Sequence, residues 1–144
     1  MTLSAAGLAG LSTQEGGAIR KVYKDPVGIA TVCTGSVTKL PVGTVVSEDY
    51  CAELLRSDTT VAQDAVRRLV KVPISQNQYD ALVDFTFNEG SGTFARSQLL
   101  VEINADHCKA AGLLFGRYNT AKGQVLRGLT NRRAWEAGLW TKDC

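Results

Sequence analysis

The rhythm of hydrophobic positions changes near residue 46. Before it, Gly and Pro break the chain into short β-prone runs. Asp25-Pro26-Val27-Gly28 is a turn signal, Ile29 to Cys33 reads as a strand, and Gly35 and Pro41 to Gly43 mark further turns, so residues 21–46 predict a small hairpin or meander. Beyond it, apolar residues recur at helical spacing. Ser47, Glu48 and Asp49 give an N-cap and an acidic first turn for a helix through Leu55, and Val61, Ala65, Val66 and Leu69 continue the helical period. Ser75 with Gln78 forms a capping box for a helix on which Tyr79, Leu82, Val83 and Thr86 share a face, and Glu89 to Gly92 stops it. Further helices are expected around Leu99, Leu100 and Ile103, around Ala111, Leu114, Phe115 and Tyr118, and from Leu129 to Trp140. Leu3, Gly7, Leu8 and Leu11 suggest one more short helix, ending near Gly16 and Gly17.

This order predicts an α+β protein: a small N-terminal lobe with a short β-sheet, residues 1–60, and a larger helical lobe, residues 61–144, in one domain with a cleft between the lobes. A chain of 144 residues suffices for that, and 44% hydrophobic with 21% charged residues excludes disordered, collagenous and coiled-coil classes. A net charge of +2 is too mild to point to nucleic acid as a partner. The N-terminal stretch from Leu3 to Leu11 is far shorter than the roughly 20 residues that span a bilayer, which argues against stable membrane insertion. It also lacks the basic flank of a secretory signal, so no export address is expected.

Cys33, Cys51, Cys108 and Cys144 form no CxxC pair, and a single His107 cannot complete a zinc site. An even count of scattered cysteines allows two disulfides in any of three connectivities, and their formation implies an oxidising compartment. His107 itself reads as a solvated residue near the start of a helix.

One histidine and the lack of a nucleophile elbow argue against triad hydrolysis, and the glycines form no phosphate loop or dinucleotide fingerprint. The carboxylates are placed more suggestively. Glu15 stands at the end of the first helix, where the helix dipole disfavours a carboxylate and suits a proton donor; Asp25 stands in the turn that opens the sheet, with Thr31 on the next strand. Paired acids flanking a bond are the apparatus of glycoside cleavage, and a hydroxyl beside the second acid can fix a water. Spacing alone equally allows two ordinary solvated acids. Arg127, Arg132 and Arg133 read as a solvated helix face, one of which could reach Glu15, and Trp135 and Trp140 read as core.

The run Gly7-Leu8-Ala9, Glu15-Gly16, Tyr23-Lys24-Asp25-Pro26-Val27-Gly28 and Thr31-Val32-Cys33 resembles the N-terminal signature of the phage-type lysozymes, the endolysins of glycoside hydrolase family 24. The resemblance continues through Ser47 to Asp58, Phe87-Asn88-Glu89-Gly90 to Phe94, Ser97-Gln98-Leu99-Leu100, and Gly128-Leu129 with Arg132-Arg133. It implies a lysozyme-like fold and a muramidase for host lysis that cuts the β-1,4 bond between N-acetylmuramic acid and N-acetylglucosamine in bacterial peptidoglycan. Glu15 resembles the general acid, Asp25 the second carboxylate, and Thr31 the residue that helps hold the hydrolytic water. Asn88 falls where the family places a polar residue on the sugar acetamido groups, although it could equally be the C-cap of its helix. No metal or cofactor is implied. A monomer is expected that resides in the host cytoplasm until another protein opens the membrane, then acts in the periplasm on the cell wall. The alternative is a catalytically impaired peptidoglycan-binding or scaffold protein with a lysozyme fold.

Two departures stand out. Nine residues separate Glu15 from Asp25 where the family has eight, although the five between Asp25 and Thr31 are kept, and Gly16-Gly17 is the easiest place to loop out the extra one. Ser36 stands where the family often has a His paired with an Asp, so a hydrogen bond to Asp58 is expected instead of an ion pair. For the cysteines, placement of each pair within one lobe predicts Cys33 with Cys51 and Cys108 with Cys144.

Overall fold

The computed structural model describes residues 1–144 and divides into two compact units, Leu8–Thr60 and Met1–Gly7 with Val61–Cys144. The first helix, α1 (Ala5–Gln14), runs from the second unit into the first.

In the unit Leu8–Thr60, β1 (Ile19–Lys24), β2 (Ala30–Cys33) and β3 (Ser36–Val37) form an antiparallel sheet in that order, followed by α2 (Glu48–Asp58). The sheet is held by an apolar cluster in which Val22 of β1 and Val32 and Cys33 of β2 are buried with Val46 and with Cys51 of α2, and Ala30, Leu40 and Leu54 pack against them. The predicted cap of α2 is in place, the Ser47 hydroxyl accepting from the Tyr50 N–H at 3.0 Å. Cys33 and Cys51 are joined by a disulfide, the pairing the sequence suggested, so α2 is tied to β2. The expected contact of Ser36 with Asp58 also forms, the hydroxyl donating to the carboxylate.

The second unit is helical: α3 (Thr60–Leu69), α4 (Gln76–Glu89), α5 (Ser91–Ala95), α6 (Gln98–Asn104), α7 (Cys108–Leu114) and α8 (Arg127–Thr141). The capping box of Ser75 and Gln78 opens α4 as predicted. Phe85 on α4 meets Phe94, Phe115 and Tyr118 edge to face, and Phe115 leans on the buried Trp140. Cys108 and Cys144 form the second disulfide, again as expected. His107 precedes α7 with 61% of its side chain exposed, bonded to Glu102. No helix is long and apolar enough to cross a membrane.

Three local features went unread in the sequence. Asn88 is not a C-cap: α4 continues through Glu89 and ends at Gly90, whose φ of 100° admits little but glycine. The stop after Glu89 is only a break, since α5 starts at once. A second hairpin, β4 (Thr120–Ala121) and β5 (Gln124–Val125), turns through Lys122 and Gly123 at φ 51° and 77°.

Within α4, residues 78–86 are all buried, so its polar members need partners. Asp80 serves the start of α1. The Ser4 N–H and hydroxyl both donate to its carboxylate, and Gln76 Nε2 donates to Oδ1 at 2.8 Å; the Ser4 hydroxyl in turn accepts from the Gly7 N–H at 2.9 Å. A buried anion at a helix N-terminus stabilises a helix too short to stand alone. The fit leaves no space over Gly7, where a Cβ would lie 2.5 Å from Asp80 Cγ. Gly7→Ala is therefore expected to destabilise by about 1–3 kcal/mol despite the better helix propensity of Ala, and to cost far less in an Asp80→Ala background that opens the space. Urea unfolding of the four proteins of that cycle checks it; additive losses would contradict the clash.

Candidate active site

Asp25 lies one residue beyond β1. Its N–H donates to the Ile29 carbonyl at 2.9 Å, the Gly28 N–H donates back to the Asp25 carbonyl at 2.9 Å, and its Oδ1 accepts from the N–H groups of Val27 (3.0 Å) and Ile29 (2.8 Å). Asp is suited to this turn because its short side chain reaches its own downstream backbone, and Gly28 supplies the φ of 86°. Two amides on Oδ1 fix the half-buried carboxylate in one orientation, leaving Oδ2 outside the turn's bonds.

Thr31 is buried on β2, opposite Tyr23 of β1 and Val37 of β3. Its hydroxyl donates to the Ile29 carbonyl at 2.9 Å, so the oxygen keeps lone pairs with which to accept from a water. Ile29 thus holds both groups through its backbone: the N–H grips Asp25 and the carbonyl orients Thr31.

Glu15 caps the C-terminus of α1. Its own N–H donates to Leu11 O (2.9 Å), Gly16 N–H to Thr13 O (3.0 Å) and Gly17 N–H to Ser12 O (2.8 Å), the bond pattern of a Schellman ending with Gly16 in the left-handed position. Gly17 is left-handed as well, at φ 85° after 92° for Gly16, and nothing lies within 4 Å of a Cβ built on either. A side chain there would fit in space but not in backbone. The connection to Asp25 has slack in a second place too: Ile19 pairs with Cys33 and Tyr23 with Thr31, so four steps along β1 match two along β2. The half-buried Glu15 carboxylate, the Asp25 turn and Thr31 all belong to the unit Leu8–Thr60. Asn88 is exposed in the last turn of α4, in the other unit.

Arg132 and Arg133 correct the solvated reading. Arg132 Nε and Nη2 donate to Asp84 at 2.9 and 2.8 Å, a two-pronged pair in which Asp84 is fully buried. Arg133, also fully buried, donates to Glu89 Oε1 at 2.6 Å and to Glu136 Oε2 at 2.9 Å, with its guanidinium 5.1 Å from the centre of the Phe85 ring. Its Nε lies 2.7 Å from Glu136 Oε1, an ion pair by distance, yet neither of those atoms makes a well-directed hydrogen bond.

Asp84, Glu89 and Glu136 thus converge on these two guanidinium groups. Burial first, and then the neighbouring Asp84, push the Glu136 carboxyl well above the usual carboxylate range; Arg133 and Arg132 oppose the shift without cancelling it. A folded value above the unfolded one means that the native state binds the extra proton. The stabilisation is full below the unfolded value near 4.3 and is lost as pH rises from there through the raised folded value. Glu136→Gln, whose amide can face Asp84 without titrating, should be no less stable than the parent at pH 8 and should gain on it between pH 4.5 and pH 8. Urea unfolding at the two pH values reads the sign; a variant that falls further behind as pH rises would show Glu136 to be ionised in the fold.

Sequence comparison places these features in a family. Residues 13–136 match the family described as phage lysozyme. The chain is 36% identical to the endolysin of Salmonella phage P22 over 120 residues, 80% of this chain and 82% of that one. It is 40% identical to the endolysin of Bacillus phage PZA over 96 residues, which is 67% of this chain but only 37% of that longer relative. A crystal structure of a point mutant of P22 lysozyme superposes with a TM-score of 0.89 at 33% identity, covering 98% of this chain and 99% of that one. With the match running through both the Glu15 to Thr31 segment and the arginine pair of α8, the chain belongs to the phage lysozyme family.

Proposed function

We propose that this chain is an active muramidase that cleaves the β-1,4 bond between N-acetylmuramic acid and N-acetylglucosamine, working as a single lysozyme-like domain and as a monomer. The observation that carries the assignment is the Ile29-centred turn, which holds the Asp25 carboxylate just beyond β1 and the Thr31 hydroxyl on the adjoining β2. Glu15 donates its proton to the leaving glycosidic oxygen while Asp25 stabilises the developing oxocarbenium charge and engages the attacking side of the sugar. A water accepted by Thr31 completes hydrolysis, its proton passing to a carboxylate. Asn88 supplies a hydrogen bond to a sugar acetamido group. Acid, carboxylate and water suffice for this reaction, so no metal or cofactor takes part, and nucleic acid is not a ligand.

The site of action follows from the substrate. We infer that the protein waits in the host cytoplasm and works in the periplasm, where the two disulfides are compatible with an oxidising environment. Clearing of permeabilised Gram-negative cells tests the activity. Falling turbidity supports the muramidase, whereas sedimentation of the protein with peptidoglycan without clearing would favour a binding or scaffold role.

A further inference from the structure

Beside the Asp25 turn, the unit Leu8–Thr60 carries a depression of about 610 Å³ lined by Ile19, Lys21, Val22, Tyr23, Lys24, Val42 and Gly43. Its lining is mostly apolar and left open, with Ile19 51% and Val42 54% exposed, and Val45, which bridges to Lys21, 69% exposed. Lys21 and Lys24 are exposed, neither has a carboxylate partner, and no acidic side chain lines the depression. It is continuous with the proposed catalytic strand: Tyr23 pairs across the sheet with Thr31, and Lys24 precedes Asp25. The depression sets exposed apolar side chains and two exposed lysines side by side on one face. Two lysines at its margin, with no acid beside them, make it complementary to an anionic ligand.

We propose that this depression is a subsite for the peptide branches of the substrate: short acidic peptides with small aliphatic side chains, their carboxylates taken by Lys21 and Lys24 and their methyl groups laid against Val42, Ile19 and the Tyr23 ring. The proposal rests on the muramidase reading for its substrate. Its chemistry comes from the depression alone. Lys21 and Lys24 touch the branch and not the scissile bond, so they act on substrate affinity and leave the chemical step unaltered.

The test compares two substrates: peptidoglycan with its stem peptides, and the same glycan stripped of them by an amidase. For Lys21→Glu/Lys24→Glu, KM on the peptide-bearing substrate is expected to rise roughly three- to tenfold at low salt, with kcat unchanged and with no change on the stripped glycan. Val42→Asp should act in the same direction. Equal changes on both substrates, or none on either, would overturn the subsite. Binding of the parent to vesicles rich in phosphatidylglycerol that the double variant loses, with both kinetic comparisons flat, would also overturn it and assign the face to a membrane. If the parent cleaves neither substrate, the muramidase reading fails by itself. The subsite is then judged by titrating the free stem tetrapeptide into the protein: shifts of the Lys21, Tyr23 and Val42 amide resonances support it, and their absence refutes it.

Discussion

Glu15→Gln is expected to abolish lysis, with turnover falling by roughly 10²–10⁴-fold while the fold stays intact. The substitution removes the proton that the leaving oxygen needs and keeps the size and shape of the side chain. Glu15 enters its position through backbone bonds, its N–H to Leu11 and the following glycines to Ser12 and Thr13, none of which depends on the carboxyl. Turbidity clearing with purified variant, beside a far-ultraviolet circular dichroism spectrum and a thermal melt, separates chemistry from folding. Half the parent's activity in a folded variant would remove Glu15 from the role.

The largest effect on stability is expected at Arg133, because one guanidinium bridges two carboxylates and covers a ring. Arg133→Ala strips Glu89 of its ionic partner, removes the donor to Glu136 Oε2 inside the buried cluster, and opens a cavity beside Phe85. Breaking one partner out of a buried ion pair costs about 3–5 kcal/mol, which for a chain of this size lowers Tm by roughly 10–15 °C. Arg133→Lys should recover little, since a single ammonium cannot hold both carboxylates or lie flat on Phe85. Thermal melts at pH 7 measure the loss. A drop of less than about 1 kcal/mol would mean that water, not Arg133, satisfies these carboxylates.

The same residues explain what the sequence hid. Arg132 and Arg133 are adjacent cations on a helix, a pattern that usually faces water, and their partners Asp84 and Glu89 lie 48 and 44 positions away. Nothing in the α8 segment announces them. Asp80 is equally silent, for an acid in mid-helix gains its meaning only from Ser4 and Gly7 at the far end of the chain. Where both partners are local, reading succeeded: Ser75 with Gln78 capped α4, Ser47 capped α2, and the turn from Asp25 to Gly28 formed. The β4 to β5 hairpin had a local signal in Lys122-Gly123 that could have been read as a tight turn. In the candidate site, the placing of Asp25 and Thr31 follows from a short local span of strand and turn. The aim of Glu15 instead depends on two consecutive left-handed glycines and an irregular strand register, neither of which spacing reveals.

The central claim is the bond that is cut, and mass spectrometry of the soluble fragments released from purified peptidoglycan tests it most directly. The account predicts fragments ending in a reducing N-acetylmuramic acid that carries the elements of one water. Fragments ending in reducing N-acetylglucosamine, or in an anhydro-muramic acid, or a glycan left intact with its peptides released, would contradict it.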